Sequence, residues 1–246
     1  MTLIFEGAHV LNNAIVCTSD SKVVKYKDFS GNGVNGKPIS LPSRNNKIVK
    51  LTDRVLYRSG GIKEWGQWLL KELSGRVKET DNLDDCLRHA KKIHQQLINK
   101  KDPSWHKYLD DERGLVVSLV GFDKKGKASL GMFQKGQWTK YNHESKWSCT
   151  GVAPSDDVMP YVNRLNRIEE PGIHYMFAEF WQAHRDMANN NPKTISNDMN
   201  VHIIKNVNGA MNYINFHLED VNDEEMALGF YQALINVEKQ ITEQIS

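Results

Sequence analysis

One stretch of the chain decides the fold, namely residues 47–61, KIVKLTDRVLYRSGG. Residues 47–51 alternate apolar and polar side chains, which is typical of a half-buried strand, and residues 54–58 predict a second strand. The paired glycines Gly60-Gly61 follow, and directly behind them an amphipathic helix is predicted over about 62–78. Two strands that lead into a helix indicate a sheet with a helical layer against it.

Outward from this stretch, the chain alternates between groups of strands and groups of helices. Strands are predicted over about 3–8, 13–19, 115–122, 128–133, 138–141, 201–205 and 211–216, and helices over about 82–99, 156–168, 172–188 and 223–242. The last two strands form a hairpin across Asn208-Gly209. This order predicts an α+β fold, a four-layer αββα sandwich of two antiparallel sheets between helical layers, as one domain over 1–246.

A polar segment, residues 21–46, interrupts the strands near the start of the chain. Glycines and prolines recur in it at positions Gly31, Gly33, Gly36, Pro38 and Pro42. Such a composition predicts a long excursion from the sheets, either one hairpin or a flexible loop. An excursion of this length could form a binding wall for a specific peptide.

Composition fits a globular enzyme and argues against some partners. The chain has 246 residues, of which 39% are hydrophobic and 25% charged, and this is enough for an ample core. The net charge of +2 gives no reason to expect nucleic acid or an acidic membrane surface as a partner. No apolar run approaches the ~18–20 residues of a membrane span, and the start of the chain lacks the pattern of a signal peptide, so we expect a cytoplasmic protein.

The cysteines predict no metal centre. Cys17, Cys86 and Cys149 are an odd number and widely spaced, which is neither a disulfide framework nor a metal-ligand pattern. We expect no cofactor and no metal.

Thr2 is the strongest candidate for chemistry. It follows Met1 directly and opens a strand-like apolar run. If Met1 is removed, the Thr2 hydroxyl can attack a carbonyl while the free α-amine takes the proton. An α-amine has a pKa near ~8, so a small downward shift makes it a base at neutral pH. An attached methionine would turn the amine into an amide, which is no base.

Four short motifs carry a resemblance to a known family: the leading Thr2, the triplets Asp20-Ser21-Lys22 and Asn46-Lys47-Ile48, and the Ser59-Gly60-Gly61 turn before a helix. In order and spacing they resemble a proteasome β-type subunit of the N-terminal-nucleophile hydrolase superfamily. The resemblance is good over residues 2–80 and weaker beyond. It implies the same four-layer sandwich that the order of elements predicts.

The resemblance also implies a role for each matching residue. Thr2 would be the nucleophile, and the Lys47 ammonium would lower the pKa of its amine and of its hydroxyl. Asp20 would pair with Lys47 and keep it charged. The backbone N–H of Gly61 would stabilise the oxyanion formed on the scissile carbonyl.

Two parts of the family pattern are altered. The family's Gly-Ser-rich turn before the third helix corresponds to residues 148–152, where Thr150 is the candidate for the supporting hydroxyl. Ser196 matches the position of a later serine, but Lys193 stands where the family has an aspartate. A lysine cannot accept the hydrogen bonds of a carboxylate. Asp198 could take the place of that aspartate, and the ground for this is only that it lies close to Ser196 in the sequence.

Three functions remain open, in order of preference. The first is a threonine hydrolase that cleaves peptide bonds through an acyl ester. The second is a peptide ligase or transpeptidase in which a second peptide resolves the same ester, and the third is a noncatalytic scaffold of the same fold. A peptide or unfolded protein is the expected substrate, and the resemblance implies a homo-oligomeric ring and an ATP-dependent unfoldase as possible partners.

Overall fold

The computed structural model describes most of the chain. The described residues are 3–9, 13–25, 28–30, 33–35, 39–44, 47–61, 63–99, 115–134, 137–141, 145–151, 160, 163 and 172–243. The strands are β1 (Leu3–His9), β2 (Ala14–Ser19), β3 (Lys22–Lys25), β4 (Asp28–Ser30), β5 (Gly33–Asn35), β6 (Ile39–Arg44), β7 (Ile48–Thr52), β8 (Val55–Gly61), β9 (Leu115–Phe122), β10 (Ala128–Gln134), β11 (Gln137–Tyr141), β12 (Ser145–Gly151), β13 (Met199–Val207) and β14 (Ala210–Leu218). The helices are α1 (Lys63–Ser74), α2 (Leu83–Asn99), α3 (Ile173–Asn190) and α4 (Glu224–Glu243).

Two five-stranded sheets form the centre of the fold. The first has the strand order β12-β1-β2-β13-β14 and the second the order β11-β10-β9-β8-β7. Every neighbouring pair in both sheets is antiparallel. The first sheet therefore combines the two ends of the chain, and the second consists of consecutive strands from its middle.

Side chains that alternate along each strand produce the layers. Ile15 and Leu56 lie in an apolar cluster between the two sheets. Their neighbours point the other way: Val16 packs with residues of α3 and α4, and Tyr57 packs with residues of α1 and α2. Each fully buried residue of this kind contributes about 1.5–3 kcal/mol. The predicted four-layer αββα sandwich is confirmed.

Local signals placed most elements within a few residues. Strand β9 has the predicted bounds, and helix α2 begins after Asn82, whose side-chain oxygen accepts hydrogen bonds from the backbone N–H groups of Asp84 at 2.9 Å and Asp85 at 3.2 Å. The tight turn between β13 and β14 places Asn208 and Gly209 at φ values of 51° and 91°. Most of the helix predicted over 156–168 lies outside the described residues.

The predicted turn over residues 148–152 was wrong. Residues 148–151 belong to β12, which pairs with β1 along its whole length from Leu3↔Gly151 to His9↔Ser145. The physical reason is that β1 is an interior strand. Its backbone N–H and C=O groups need partners on both sides, and β12 supplies the second side.

The excursion after β2 is an arm of two short β-hairpins. Strand β3 pairs with β6 at its base, and β4 pairs with β5 beyond them. Each pair forms a two-stranded sheet of its own. We call the four strands β3 to β6 the β-arm. Where the sequence predicts one hairpin or a flexible loop, the described residues form two pairs of strands.

A buried histidine lies in the space between the sheets. His202 is 5% exposed and lies on the same face of β13 as Ile204, with its Nδ1 atom 2.7 Å from the hydroxyl of Tyr213. Burial lowers the pKa of His202 to about 4. An unfolded histidine has a pKa of about 6.5. Between that pH and the pKa of the folded state, the unfolded chain therefore binds a proton at this residue that the folded chain does not bind.

We therefore expect acid to destabilise the fold through His202. Between pH 7 and pH 5, this group lowers the free energy of unfolding by about 2 kcal/mol. The variant His202→Gln has no group that titrates at this position. The loss of unfolding free energy between pH 7 and pH 5 should therefore be smaller in this variant by about 2 kcal/mol. Urea unfolding of both proteins at the two pH values measures the difference. An identical pH dependence in the two proteins would contradict the assignment.

Candidate active site

A buried ion pair joins the two sheets at one end of the sandwich. Asp20 directly follows β2 of the first sheet, and Lys47 directly precedes β7 of the second. The Nζ atom of Lys47 lies 2.5 Å from Oδ1 of Asp20. The Asp20 side chain is 0% exposed and that of Lys47 only 4%. The structure thus brings together two of the predicted site residues, which are 27 positions apart.

The Asp20 carboxylate is held by more than the lysine. Its second oxygen accepts a hydrogen bond from the backbone N–H of Lys22 at 3.1 Å. This is the local turn that aspartate side chains form with the backbone two residues ahead. The turn leaves Oδ1 directed at Lys47.

Burial controls the charge state of the Lys47 ammonium. Burial lowers the pKa of Lys47, while the negative charges of Asp20 and Asp198 and the hydrogen bond to Asp20 act in the opposite direction. A charged ammonium in such a place favours a neutral form for any amine beside it. It also favours negative charge on a nearby hydroxyl oxygen.

The segment between α3 and β13, residues 191–198, closes the site from a third direction. The hydroxyl of Ser196 accepts a hydrogen bond from the backbone N–H of Ser21 at 3.2 Å. Its carbonyl oxygen lies 3.2 Å from Nε2 of His184. Asp198, at the end of the segment, is 5% exposed. Ser196 therefore lies next to the Asp20 turn.

Lys193 and Asp198 of this segment differ in burial. Lys193 is exposed, so it does not take the place of a buried carboxylate. Asp198 is buried, and its charge acts on Lys47. A second carboxylate is thus present beside the lysine, five positions further along the chain than the aspartate of the resembled pattern.

Strand β1 begins at this end of the first sheet. Thr2 lies outside the described residues. Strand β1 begins at Leu3, and in its register Ile4 is opposite Ser19 of β2, the residue before Asp20. On its other side Ile4 is opposite Thr150 of β12. The side chain of Thr150 is also outside the described residues.

Gly61 is the last residue of strand β8 and is paired with Leu115, so it does not lie in a turn as expected. The pairing of β8 with β9 extends through both glycines, and α1 begins at Lys63. The backbone N–H of Ser59 donates to the carbonyl of Lys47 at 3.4 Å. Gly61 therefore lies two residues beyond the level of Lys47 along β8.

Sequence reasoning missed His184. It lies on α3 among buried residues such as Phe180 and Met187, and it is 0% exposed. The available signal was a titratable side chain on an otherwise apolar helical stripe. Asp198 was considered only for its proximity to Ser196.

Other features of the described residues give no second site. No group of three His, Cys, Asp or Glu side chains among them could hold a metal ion. A surface cavity of about 480 Å³ lies on α2 near Arg88, Lys91 and Lys140, in the helical layer that covers the second sheet. The Lys140 ammonium there is neutralised by Asp84 at 2.6 Å. No helix among the described residues is long and apolar enough to span a membrane.

The arrangement of two antiparallel sheets between helical layers is also found in a protein of known structure. The structure is similar to Anbu (ancestral beta-subunit) from Yersinia bercovieri, with a TM-score of 0.62 over 98% of this chain and 97% of that chain. The two sequences are 11% identical, so the likeness shows the fold alone. No protein-family model matches the sequence, and no curated protein matches it at a significant level.

The buried pair should dominate local stability. Lys47→Met leaves the Asp20 carboxylate buried without its ammonium, which costs about 3–5 kcal/mol of unfolding free energy. Lys50→Met is the matched control, three residues further along the chain in β7. Its ion pair with Asp53 is nearly as short, at 2.6 Å, but the two side chains are 35% and 41% exposed. That variant should lose less than about 1 kcal/mol.

Urea unfolding at pH 7 measures both losses. Adding Asp20→Asn to Lys47→Met removes the uncompensated charge, so the double variant should recover part of the stability. Equal losses for the Lys47 and Lys50 variants would contradict the assignment of a buried pair.

Proposed function

We propose that the chain is a threonine-type hydrolase that cleaves peptide bonds, with Thr2 as the nucleophile after removal of Met1. The observation that carries the proposal is the buried pair of Lys47 and Asp20 at the sheet end that β1 approaches with its first residues. The similarity to Anbu supports the fold on which this chemistry depends. The residues supply what an N-terminal threonine needs, namely a charged neighbour and ordered hydrogen bonds.

The reaction has two halves. The Thr2 hydroxyl oxygen attacks the carbonyl carbon of the peptide bond, and its proton passes to the α-amine of Thr2. The tetrahedral intermediate then expels the leaving amine, which takes that proton, and an ester remains on Thr2. In the second half water attacks the ester carbon and gives a proton to the same α-amine. The bond to the Thr2 oxygen then breaks, that oxygen takes the proton back from the amine, and the acyl group leaves as a carboxylic acid.

Each neighbour has a role in this scheme. The Lys47 ammonium disfavours a second positive charge, so it keeps the α-amine of Thr2 available as a base. Asp20 holds Lys47 by a direct hydrogen bond, and Asp198 adds negative charge that also keeps Lys47 protonated. The backbone N–H of Gly61 is proposed for the oxyanion, and the hydroxyls of Thr150 and Ser196 for support of the terminal amine.

The proposal predicts a defined mass and a defined chemical reactivity. Intact mass measurement should find the chain without Met1, and a hydroxyl-directed electrophile such as a β-lactone should add its mass once, at Thr2. Thr2→Ala should abolish both labelling and peptide cleavage, because it removes the attacking oxygen. Thr2→Ser is the matched control and should retain labelling.

Peptide cleavage by the Thr2→Ala protein at the wild-type rate would refute the proposal. Loss of Met1 without labelling and without cleavage would favour the noncatalytic scaffold instead. Ring assembly and an ATP-dependent unfoldase stay predictions that follow only from the resemblance, and a cytoplasmic location stays a prediction from the sequence pattern.

The β-arm favours a second candidate, a peptide ligase that uses the same ester. The arm leaves the sheets just after Asp20 and returns just before Lys47, so both of its ends lie at the ion pair. Its base is fixed by the Lys22 ammonium, which donates to the carbonyl of Pro192 at 2.5 Å. Each of its two-stranded sheets has outer strand edges that pair with no other strand among the described residues. An extended peptide can bind to such an edge as an added strand.

Shortening the β-arm should separate ligation from hydrolysis. Lys25 is opposite Ile39, so an Asn-Gly turn can replace residues 26–38 and join β3 to β6 directly. If the arm binds the acceptor, the shortened protein should still hydrolyse the donor peptide and still transfer it to hydroxylamine. It should lose products formed with a pool of peptides that have free amino termini. Equal peptide ligation by both proteins would exclude the arm from acceptor binding.

A further inference from the structure

His184 is buried to an extent that calls for a physical reason. Its side chain lies inside the layer between α3 and the first sheet, and it is 0% exposed. The rest of this face of α3 is apolar. Burying a polar ring is unfavourable unless it makes a hydrogen bond. The structure supplies one such bond, and it leads to the candidate site.

The hydrogen bond fixes the state of the ring. Nε2 of His184 lies 3.2 Å from the carbonyl oxygen of Ser196. A carbonyl can only accept, so Nε2 carries the proton and donates it. Nδ1 has no hydrogen-bond partner among the described residues. Burial lowers the pKa of His184, and the charge of Lys47 acts in the same direction, against those of Asp20 and Asp198. The ring is therefore neutral.

The contacts of Ser196 connect this ring to the ion pair. The Ser196 carbonyl is held by His184, and its hydroxyl accepts from the backbone N–H of Ser21. Ser21 is the middle residue of the turn in which Asp20 binds the N–H of Lys22. An uninterrupted series of hydrogen bonds and peptide bonds thus runs from α3 to the carboxylate that holds Lys47.

The segment that carries Ser196 needs this support. Its beginning is attached to α3 by the backbone N–H of Asn191, which donates to the carbonyl of Met187 at 2.9 Å. Thr194 and Ile195 then donate to the carbonyl of Asn191 at 2.9 Å and 3.0 Å. Its end enters β13 at Met199. Between these attachments, His184 holds the Ser196 carbonyl from the helix side. On the other side of Ser196, the carbonyl of Asn197 accepts a hydrogen bond from the backbone N–H of Val221 at 2.7 Å. The His184 bond is the contact that holds the carbonyl of Ser196 itself.

We infer that His184 is a positioning residue of the candidate site, which holds Ser196 from the α3 side and through it orders the turn that carries Asp20. Its effect on catalysis rests on the proposed function, whereas its effect on the turn does not. His184 does not touch the substrate or the attacking oxygen in this scheme.

Two variants separate the hydrogen bond from mere packing. His184→Leu keeps an apolar side chain in the helix but removes the donor. His184→Gln places an amide N–H near the position of Nε2 and should restore the bond. His202→Leu is the control, because His202 is also buried, at 5% exposure, but hydrogen-bonds to Tyr213.

The first readout needs no activity. Amide hydrogen exchange at Ser21 should be about tenfold faster in His184→Leu, since the loss of one hydrogen bond is an effect of this size. Exchange at Ser21 should stay near the wild-type rate in His184→Gln and in His202→Leu. If His184→Leu does not fold, His184→Asn takes its place, because its shorter amide does not reach the Ser196 carbonyl.

The second readout is the reaction of Thr2 with the β-lactone probe. The maximal rate of labelling should fall about tenfold in His184→Leu with little change in probe affinity, and His184→Gln should recover it. If the wild-type protein is not labelled, the proposed function fails, and exchange at Ser21 alone decides the role of His184. If labelling occurs and His184→Leu changes neither readout, the positioning role is overturned while the hydrolase stands.

Discussion

The ion pair between Lys47 and Asp20 is the interaction on which the rest of the arrangement depends. Each partner lies at the end of a strand in a different sheet, so the pair forms only when the two sheets are stacked in one register. Removing two charges from water is unfavourable by several kcal/mol per ion. Their separation of 2.5 Å and the further hydrogen bond to Asp20 offset that loss. Well-packed apolar residues of similar volume would stabilise the fold at least as well as such a pair.

The other polar groups at this end are arranged around the pair. Asp198 contributes negative charge from the beginning of β13, and Ser196 holds the turn after β2. The β-arm begins and ends at the same place. These elements meet because the backbone leaves both sheets here. The polar side chains therefore lie at the end of the sandwich and not within its apolar clusters. The apolar clusters elsewhere keep the layers fixed, which gives the polar groups defined positions.

The fold of this protein is supported by structural similarity, whereas its proposed function is supported by the residues of one site. Likeness to Anbu over nearly the whole chain accounts for the layers and for the course of the strands. It does not carry the chemistry, because related folds host unrelated activities. The buried charges next to the beginning of β1 are what supports the proposed threonine hydrolase. Asp198 is buried and its charge acts on Lys47, whereas Lys193 is exposed.

Sequence alone determined the elements whose signals are local. Helix α2 follows from its apolar stripe and its Asn82 cap, strand β9 from an apolar run, and the β13–β14 hairpin from Asn208-Gly209. Only the tertiary structure decided that β12 completes the first sheet, that β3 pairs with β6 and β4 with β5, and that His184 contacts Ser196. These features rest on contacts between residues far apart in the chain. Periodicity and turn residues report the conformation of neighbours, whereas long-range pairing depends on which distant backbone and charged groups remain to be satisfied.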